Sequence, residues 1–100
     1  MASLDNIIQQ VTDFYNVTTE NLIHGDRRRA FSEPRHVAMY LCVKIGGMSN
    51  EGVSRYFGKA RTIGQYAVEK VADWVNDPRL NRRGAACVQT ILDNIKHQVQ

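Results

Sequence analysis

The sequence has little of several residue types, and each scarcity excludes a class of protein. It contains 2 prolines and 7 glycines in 100 residues, too few for a collagen-like or low-complexity chain. No apolar run approaches the ~18–20 residues that a membrane-spanning helix requires. The first ten residues, MASLDNIIQQ, have neither a basic start nor a long apolar stretch, unlike a secretion signal. We therefore expect a soluble cytoplasmic protein with no membrane partner.

Groupings of residues that catalyse reactions or hold metals are also missing. His24, His36 and His97 show no i, i+4 pairing with one another or with a cysteine. Cys42 and Cys87 lack metal-ligand spacing, and we expect them as reduced core residues. No nucleophile–base pair, acidic cluster or phosphate-cradling G-x-x-x-x-G-K-[ST] loop is present. We expect a protein that is not an enzyme and needs no metal, cofactor or nucleotide.

The chain does contain enough apolar material for one core and an uneven distribution of charge. Hydrophobic residues make up 43% of residues 1–100, which fits one domain of ordinary size. Residues 1–23 hold three acidic residues and no Lys or Arg, so all 13 basic residues follow them. The basic side chains cluster at Arg27-Arg28-Arg29 with Arg35, at Arg55-Lys59-Arg61, and at Arg79-Arg82-Arg83. Such clusters favour a polyanionic partner, with a solvated basic face as the alternative; the alternative is preferred for the third cluster.

Apolar positions recur at helical spacing along nearly the whole chain. Ser3 is a suitable N-cap for a first helix, which runs to Tyr15 before Asn16 interrupts it. A short helix over residues 19–23 is expected to end at Gly25.

A third helix is predicted after an exposed basic loop over residues 26–31. Ser32-Glu33-Pro34 resembles a helix start with proline in the first turn, where its missing N–H needs no partner. Gly46-Gly47 is expected to end this helix, because glycine accepts the left-handed conformation of a C-cap. Its buried stripe would be Val37, Ala38, Leu41 and Ile45.

The second half of the chain predicts a helix-turn-helix. Ser49 would cap a short helix over residues 50–57, Gly58 would make a tight turn, and a longer helix would cover residues 62–75. Asp77-Pro78 would begin a last helix that reaches about His97. The expected inward positions of these last two helices are Ile63, Ala67, Val71, Trp74 or Val75, Leu80, Gly84, Val88, Ile91, Leu92 and Ile95.

Four stretches in this order resemble the DNA-binding C-terminal domain of the bacterial replication initiator DnaA. They are DNIIQQVTDFYNVTTENLI, DRRRAFSEPRHVAMYLCVKIGGMS, NEGVSRYFG and ARTIGQYAVEKV. The resemblance covers nearly the whole chain and implies an all-α domain of six helices, Trp-repressor-like, that binds double-stranded DNA through its helix-turn-helix.

The sequence departs from the family at the signature that starts the recognition helix. The family pattern is roughly G-G-R-D-H-T-T-V-x-H-A, whereas this chain has FGKARTIGQYA. Within the family's Asp-His-Thr-Thr group, Ala60 replaces the Asp, Arg61 the His and Ile63 the second Thr, and only Thr62 matches. Because the family reads its DNA box with these residues, we do not expect this chain to prefer that box.

The recognition helix and the basic loop supply the expected DNA contacts. Arg61 could read guanine with its planar fork, Thr62 could contact a base or phosphate or serve only as an N-cap, and Gln65 could reach adenine or a phosphate. Gly64 would either permit close approach of the DNA backbone or be only a weak point of the helix.

The resemblance implies that a loop arginine enters the adjacent minor groove, with Arg29 the best-aligned candidate and Arg27 and Arg28 as alternatives or phosphate contacts. The remaining expected phosphate contacts are Arg35, Ser49, Arg55 and Lys59.

Because the chain starts at Met1 in this region and lacks the ATPase, we expect a stand-alone DnaA-like regulator of replication or transcription. It would act in the bacterial nucleoid or be encoded by a phage, plasmid or genomic island. Two other functions remain open. The altered signature allows a protein-interaction module or replication antagonist that has lost specific DNA binding, and a DNA-recognition subunit of a mobile-element enzyme is also possible.

Overall fold

Six α-helices and one 3₁₀ turn make up the computed structural model, which describes residues 2–98 and the side chains as far as Lys96. The helices are α1 Leu4–Tyr15, α2 Thr19–His24, α3 Arg29–Lys44, α4 Asn50–Tyr56, α5 Ile63–Asn76 and α6 Arg82–Gln98, with the 3₁₀ turn at Pro78–Leu80. Within residues 2–98 there is no strand, and no helix there is long and apolar enough to span a membrane. The all-α prediction is confirmed.

Most helix ends lie where the sequence predicts them, because local side chains determine them. The Ser3 hydroxyl accepts a hydrogen bond from the Asn6 N–H at 3.4 Å, and the Ser49 hydroxyl accepts one from the Gly52 N–H at 2.9 Å. Gly47, after α3, has a φ of 78°, a left-handed conformation that glycine adopts without strain. These predicted boundaries are confirmed to within a residue or two.

The sequence prediction of where α3 begins is wrong. The helix begins at Arg29, not at Ser32, because the N–H groups of Phe31 and Ser32 already donate to the Arg28 carbonyl oxygen at 2.9 and 2.8 Å. Pro34 therefore lies inside the helix and leaves the carbonyl of Ala30 without its usual partner. Ala30 is exposed, so water can hydrate that carbonyl.

The last helix is divided where the sequence predicts it to be continuous. Asp77 caps only the 3₁₀ turn, and Asn81 caps α6 by accepting a hydrogen bond from the Gly84 N–H at 2.9 Å. Leu80, an expected core residue, is 60% exposed as a result of this break. Gly84 is buried, as predicted, against the ring of Trp74. Of the two residues expected as alternatives for the core, Trp74 is buried and Val75 is exposed.

α3 is the central helix and contacts each of the other five helices. Its residues Met39 and Leu41 are fully buried in the hydrophobic core, to which α1, α5 and α6 also contribute side chains. Cys42 and Cys87 are buried and unpaired, as expected for core thiols, and burial raises the pKa of each to about 12. The arrangement places the start of α3 and the start of α5 on neighbouring parts of the surface.

Candidate nucleic-acid interface

The helix-turn-helix consists of α4, the turn over residues 57–62, and α5. Gly58 has a φ of 65° and an open space where a side chain would stand, so the turn uses glycine for its backbone conformation alone. Ser54 joins the two helices, since its buried hydroxyl accepts a hydrogen bond from the Gly64 N–H at 2.7 Å. The predicted helix-turn-helix is therefore present, with Ser54 as a contact that the sequence reading missed.

Gly64 corrects a prediction about the DNA-facing surface. It is buried against α4, and a Cβ there would overlap the carbonyl oxygen of Asn50. Its missing side chain permits the close approach of the two helices, so it does not open the surface to a DNA backbone.

The expected base-reading side chains lie on the exposed side of the start of α5. Arg61, Thr62 and Gln65 are all exposed. Thr62 makes no side-chain capping bond, which removes the simple N-cap explanation for its hydroxyl. The amide of Gln65 donates to the Glu69 carboxylate at 3.1 Å, so this side chain must give up that contact to reach a base. Among residues 2–96, no carboxylate forms an ion pair with Arg61.

The three consecutive arginines differ in their surroundings. Arg28 pairs with Asp26 at 3.0 Å, and Arg29 pairs with the nearly buried carboxylate of Glu33 at 3.1 Å. Arg27 is exposed, and no described carboxylate forms an ion pair with it. Glu33 in turn accepts a hydrogen bond from the Asn81 amide at 2.9 Å, which ties Arg29 to the start of α6. Arg27 is therefore the arginine of this group with the least internal engagement.

Arg35 corrects a predicted phosphate contact. It is only 5% exposed, and its guanidinium donates to the carbonyl oxygens of Leu22 at 2.8 Å and Gly25 at 2.6 Å. Longer contacts reach the carbonyl oxygens of Asn21 and Asp26. These donors satisfy the end of α2 and the chain that follows it, so Arg35 is a structural residue that holds the basic segment in place.

A cleft of about 730 Å³ separates the basic segment from the turn of the helix-turn-helix. Cations line both sides of it: Arg27 on one, Lys59 and Lys70 on the other. Burial lowers the pKa of Lys59, and the nearby charges of Arg35 and Arg27 lower it further. The complete lining is Arg27, Ser32, Arg35, His36, Lys59, Ala60, Ile63, Tyr66 and Lys70. None of these lining residues is a carboxylate, and positive charges held close together favour the binding of an anion.

Lys70 is a cleft residue that the sequence reading missed. Its ammonium lies 3.2 Å from the Tyr66 hydroxyl and 5.4 Å from the centre of that ring. The sequence could have indicated the position of Lys70, because Ile63, Tyr66 and Lys70 follow one another at i, i+3 and i+7 and so share a face of α5.

His36 also lines the cleft. It packs edge-on against Tyr66, with 5.6 Å between ring centres. Burial lowers its pKa to about 4, and the charges of Lys70 and Arg35 act in the same direction. The ring is therefore neutral near pH 7. No group of three metal-ligating side chains occurs in the described part of the chain, from which the side chain of His97 is excluded.

Two expected phosphate contacts lie outside the cleft. Arg55 is 78% exposed and pairs with Glu51 at 3.6 Å on the outer side of α4. Ser49 is exposed at the start of α4, where its hydroxyl already caps the helix. The structure thus brings Arg27 and Lys59 together at the cleft and places Arg55 on α4 and Ser49 at its N-cap.

Comparison with known proteins matches this chain to a family with a helix-turn-helix. Residues 4–71 match the family model described as bacterial dnaA protein helix-turn-helix. Similar proteins include the chromosomal replication initiator protein DnaA of Ruegeria pomeroyi, 31% identical over 72 residues, which are 71% of this chain and 15% of the relative. The DnaA of Burkholderia multivorans is 32% identical over 91 residues, 89% of this chain and 17% of the relative. That of Corynebacterium jeikeium is 28% identical over 92 residues, 91% of this chain and 15% of the relative.

These comparisons confirm the resemblance that the sequence motifs indicate. The chain spans only about 15–17% of the length of these curated relatives. The family match, however, runs from the first residue of α1 into α5 and includes α4, the turn and the first nine residues of α5. This chain therefore belongs to the bacterial DnaA helix-turn-helix family, whose domain binds DNA.

Proposed function

We propose that residues 1–100 form one domain that binds double-stranded DNA with sequence preference. The first turn of α5 enters a major groove, and the basic segment over residues 26–29 enters the neighbouring minor groove. Binding at these two points regulates replication or transcription. A protein with this activity would be located at the bacterial nucleoid or on the DNA of a mobile element.

The cleft between the two basic elements is the observation that carries this proposal. Adjacent major and minor grooves are separated by one sugar–phosphate strand, so a protein that enters both must receive that strand between its two elements. Arg27, Lys59 and Lys70 surround the cleft in which the strand would lie. Phosphate contacts of this kind supply much of the affinity and make it depend on salt.

Within the basic segment, the ion pairs favour Arg27 over Arg29 for the minor groove. Arg29 would have to leave the Glu33 carboxylate, which is almost buried and cannot be rehydrated easily. Arg27 has no such partner among the described carboxylates and already lies at the edge of the cleft. Arginine suits a narrow minor groove because negative potential is concentrated there.

Sequence preference is assigned to Arg61, Thr62 and Gln65. These exposed side chains occupy the first turn of α5 and the residues before it, where helix-turn-helix proteins contact base edges. The Arg61 fork can donate to O6 and N7 of one guanine, a contact that discriminates by roughly 1–3 kcal/mol. Ser49, the N-cap of α4, and Arg55 on α4 would contact phosphates on the far side of the major groove.

A selection from randomised duplexes, followed by fluorescence anisotropy across a salt series, tests the function. The expected result is a recovered motif whose affinity falls steeply with salt, with a slope near −4 if about four to five phosphates are neutralised. Failure to recover a motif, together with weak binding at low salt, would contradict the proposal. Pull-downs would then test the protein-interaction alternative.

A further inference from the structure

Ser54 lies at the contact between the two helices of the helix-turn-helix and is 1% exposed. Its Oγ accepts a hydrogen bond from the Gly64 N–H at 2.7 Å and lies 3.0 Å from the carbonyl oxygen of Arg61. The carbonyl oxygen of Asn50, on its own helix, lies 3.1 Å away, and the single hydroxyl proton can be donated to either carbonyl. One side chain of α4 thus contacts the backbone on both sides of Thr62.

The start of α5 depends on this hydroxyl because it has no side-chain cap of its own. The first N–H groups of a helix have no partner within the helix. Thr62, at the N-cap position, has helical angles of φ −83° and ψ −12°, and its side chain makes no capping bond. Gly64 is buried, so water does not readily reach its N–H. Ser54 supplies the acceptor from the neighbouring helix.

Gly64 completes the contact by having no side chain. A Cβ at this position would overlap the Asn50 carbonyl oxygen and come within 2.6 Å of the Ser54 Oγ. The distance between α4 and α5 is therefore set by a serine hydroxyl on one helix and a bare backbone on the other.

We propose that Ser54 is a positioning residue for DNA sequence recognition. By holding the backbone at Arg61 and Gly64, its hydroxyl fixes the depth and rotation at which Arg61, Thr62 and Gln65 are presented. The proposal rests on the DNA-binding function proposed above. Contacts to base edges require accurate geometry, whereas contacts to phosphates by long cationic side chains tolerate small displacements. Loss of the hydroxyl therefore reduces sequence preference and leaves the salt dependence unchanged.

The test compares Ser54→Ala, Ser54→Thr and a control, Thr12→Val, with the wild-type chain. Thr12 is also buried, 6% exposed, and its hydroxyl donates to the Gln9 carbonyl at 2.8 Å within α1, outside the helix-turn-helix. For each folded protein, anisotropy gives the ratio of affinities for the selected duplex and for a scrambled duplex, together with the salt slope. Ser54→Ala should reduce the ratio on the order of tenfold, the discrimination of one base contact. Ser54→Thr, which keeps the hydroxyl, should restore it.

Together, the results distinguish failure of this proposal from failure of the function on which it rests. A wild-type ratio near one would overturn both. A wild-type preference that Ser54→Ala retains would overturn the role of Ser54 alone, as would an equal loss in Thr12→Val. Should Ser54→Ala fail to fold, Ser54→Cys replaces it, because the thiol fills the same space and is only a weak acceptor.

Discussion

The Nη2 of Arg35 donates to the carbonyl oxygen of Gly25 at 2.6 Å, and this contact joins the middle of α3 to the residue that ends α2. The Nε of the same side chain reaches the Leu22 carbonyl one turn earlier. This residue of the basic cluster thus stabilises the contact between α2 and α3, which holds the segment that carries the other arginines.

Replacement of Arg35 by alanine should lower the free energy of unfolding by roughly 3 kcal/mol, because several buried carbonyls lose a charged donor. Arg35→Lys should recover only part of this, since an ammonium cannot span carbonyls that a planar fork bridges. Urea unfolding measures both. The control is Arg82→Ala, an exposed arginine on α6, expected to change stability by less than about 0.5 kcal/mol. Equal losses for Arg35→Ala and Arg82→Ala would refute the structural role.

Arg27→Ala should weaken DNA binding on the order of tenfold, whereas Arg29→Ala should weaken it far less. The reason is that Arg29 is already paired with Glu33, while Arg27 faces the cleft. Anisotropy with the selected duplex at one fixed salt concentration measures the difference. The reverse order of effects would show that the Arg29–Glu33 pair opens on DNA.

Arg61→Ala and Lys59→Ala should differ in kind. Arg61→Ala should relax sequence preference at one or two base pairs, at a cost of roughly 1–3 kcal/mol in discrimination. Lys59→Ala should weaken binding to all duplexes alike and reduce the salt slope by about one. Arg79→Ala is the matched control, since Arg79 is exposed and paired with Asp77 at 2.9 Å, outside the cleft. Repeated selection and a salt series distinguish these effects, and indistinguishable variants would count against the assigned roles.

Protonation of His36 should destabilise the folded chain in mildly acidic solution. Its pKa in the fold is about 4, below the ordinary 6.5, so the unfolded chain takes up a proton that the folded chain refuses. Stability should fall as the pH decreases from about 6.5 to about 4. Arg28 and Arg79 lower the pKa values of Asp26 and Asp77. Protonation of these two carboxylates therefore reduces stability mainly at pH values below the range assigned to His36.

Urea unfolding of the wild-type chain and of His36→Phe at several pH values between 7 and 4 isolates this contribution. The phenylalanine keeps a ring against Tyr66 and cannot titrate. Its stability should depend less steeply on pH than that of the wild type, and parallel curves would exclude His36 as the cause.

Gly84→Ala should destabilise the chain by about 1–2 kcal/mol although alanine is the better helix former. The added Cβ would lie 2.6 Å from Cε3 of the buried Trp74 ring, which has little room to move. Thermal unfolding measures the change. A stabilised variant would mean that the ring shifts freely.

The sequence could predict the features that depend on neighbours along the chain. Ser3 and Ser49 cap the helices that they precede, and Gly58 makes the turn, because these effects act over three or four residues. The helix-turn-helix and the exposed side chains of Arg61 and Gln65 follow from the same local patterns.

Features that depend on contacts between distant residues could not be read in this way. Arg35 looks like any other member of a basic cluster until α2 is folded against α3. Asn81 looks like a loop residue, yet its amide reaches Glu33, 48 positions earlier. This contact helps divide the last helix from the 3₁₀ turn and leaves Leu80 exposed, contrary to the apolar periodicity.

The position of α6 in the core determines which residues must be included if the helix-turn-helix is transferred to another protein. The family match ends at residue 71, within α5, yet Val88 and Ile91 of α6 are almost wholly buried. The Asn81 amide also holds the Glu33 carboxylate that anchors Arg29 at the start of α3. A hybrid protein that carried only the matched region would contain most of the helix-turn-helix but would lack α6, which supports it. A transferred segment of this protein must therefore extend through α6.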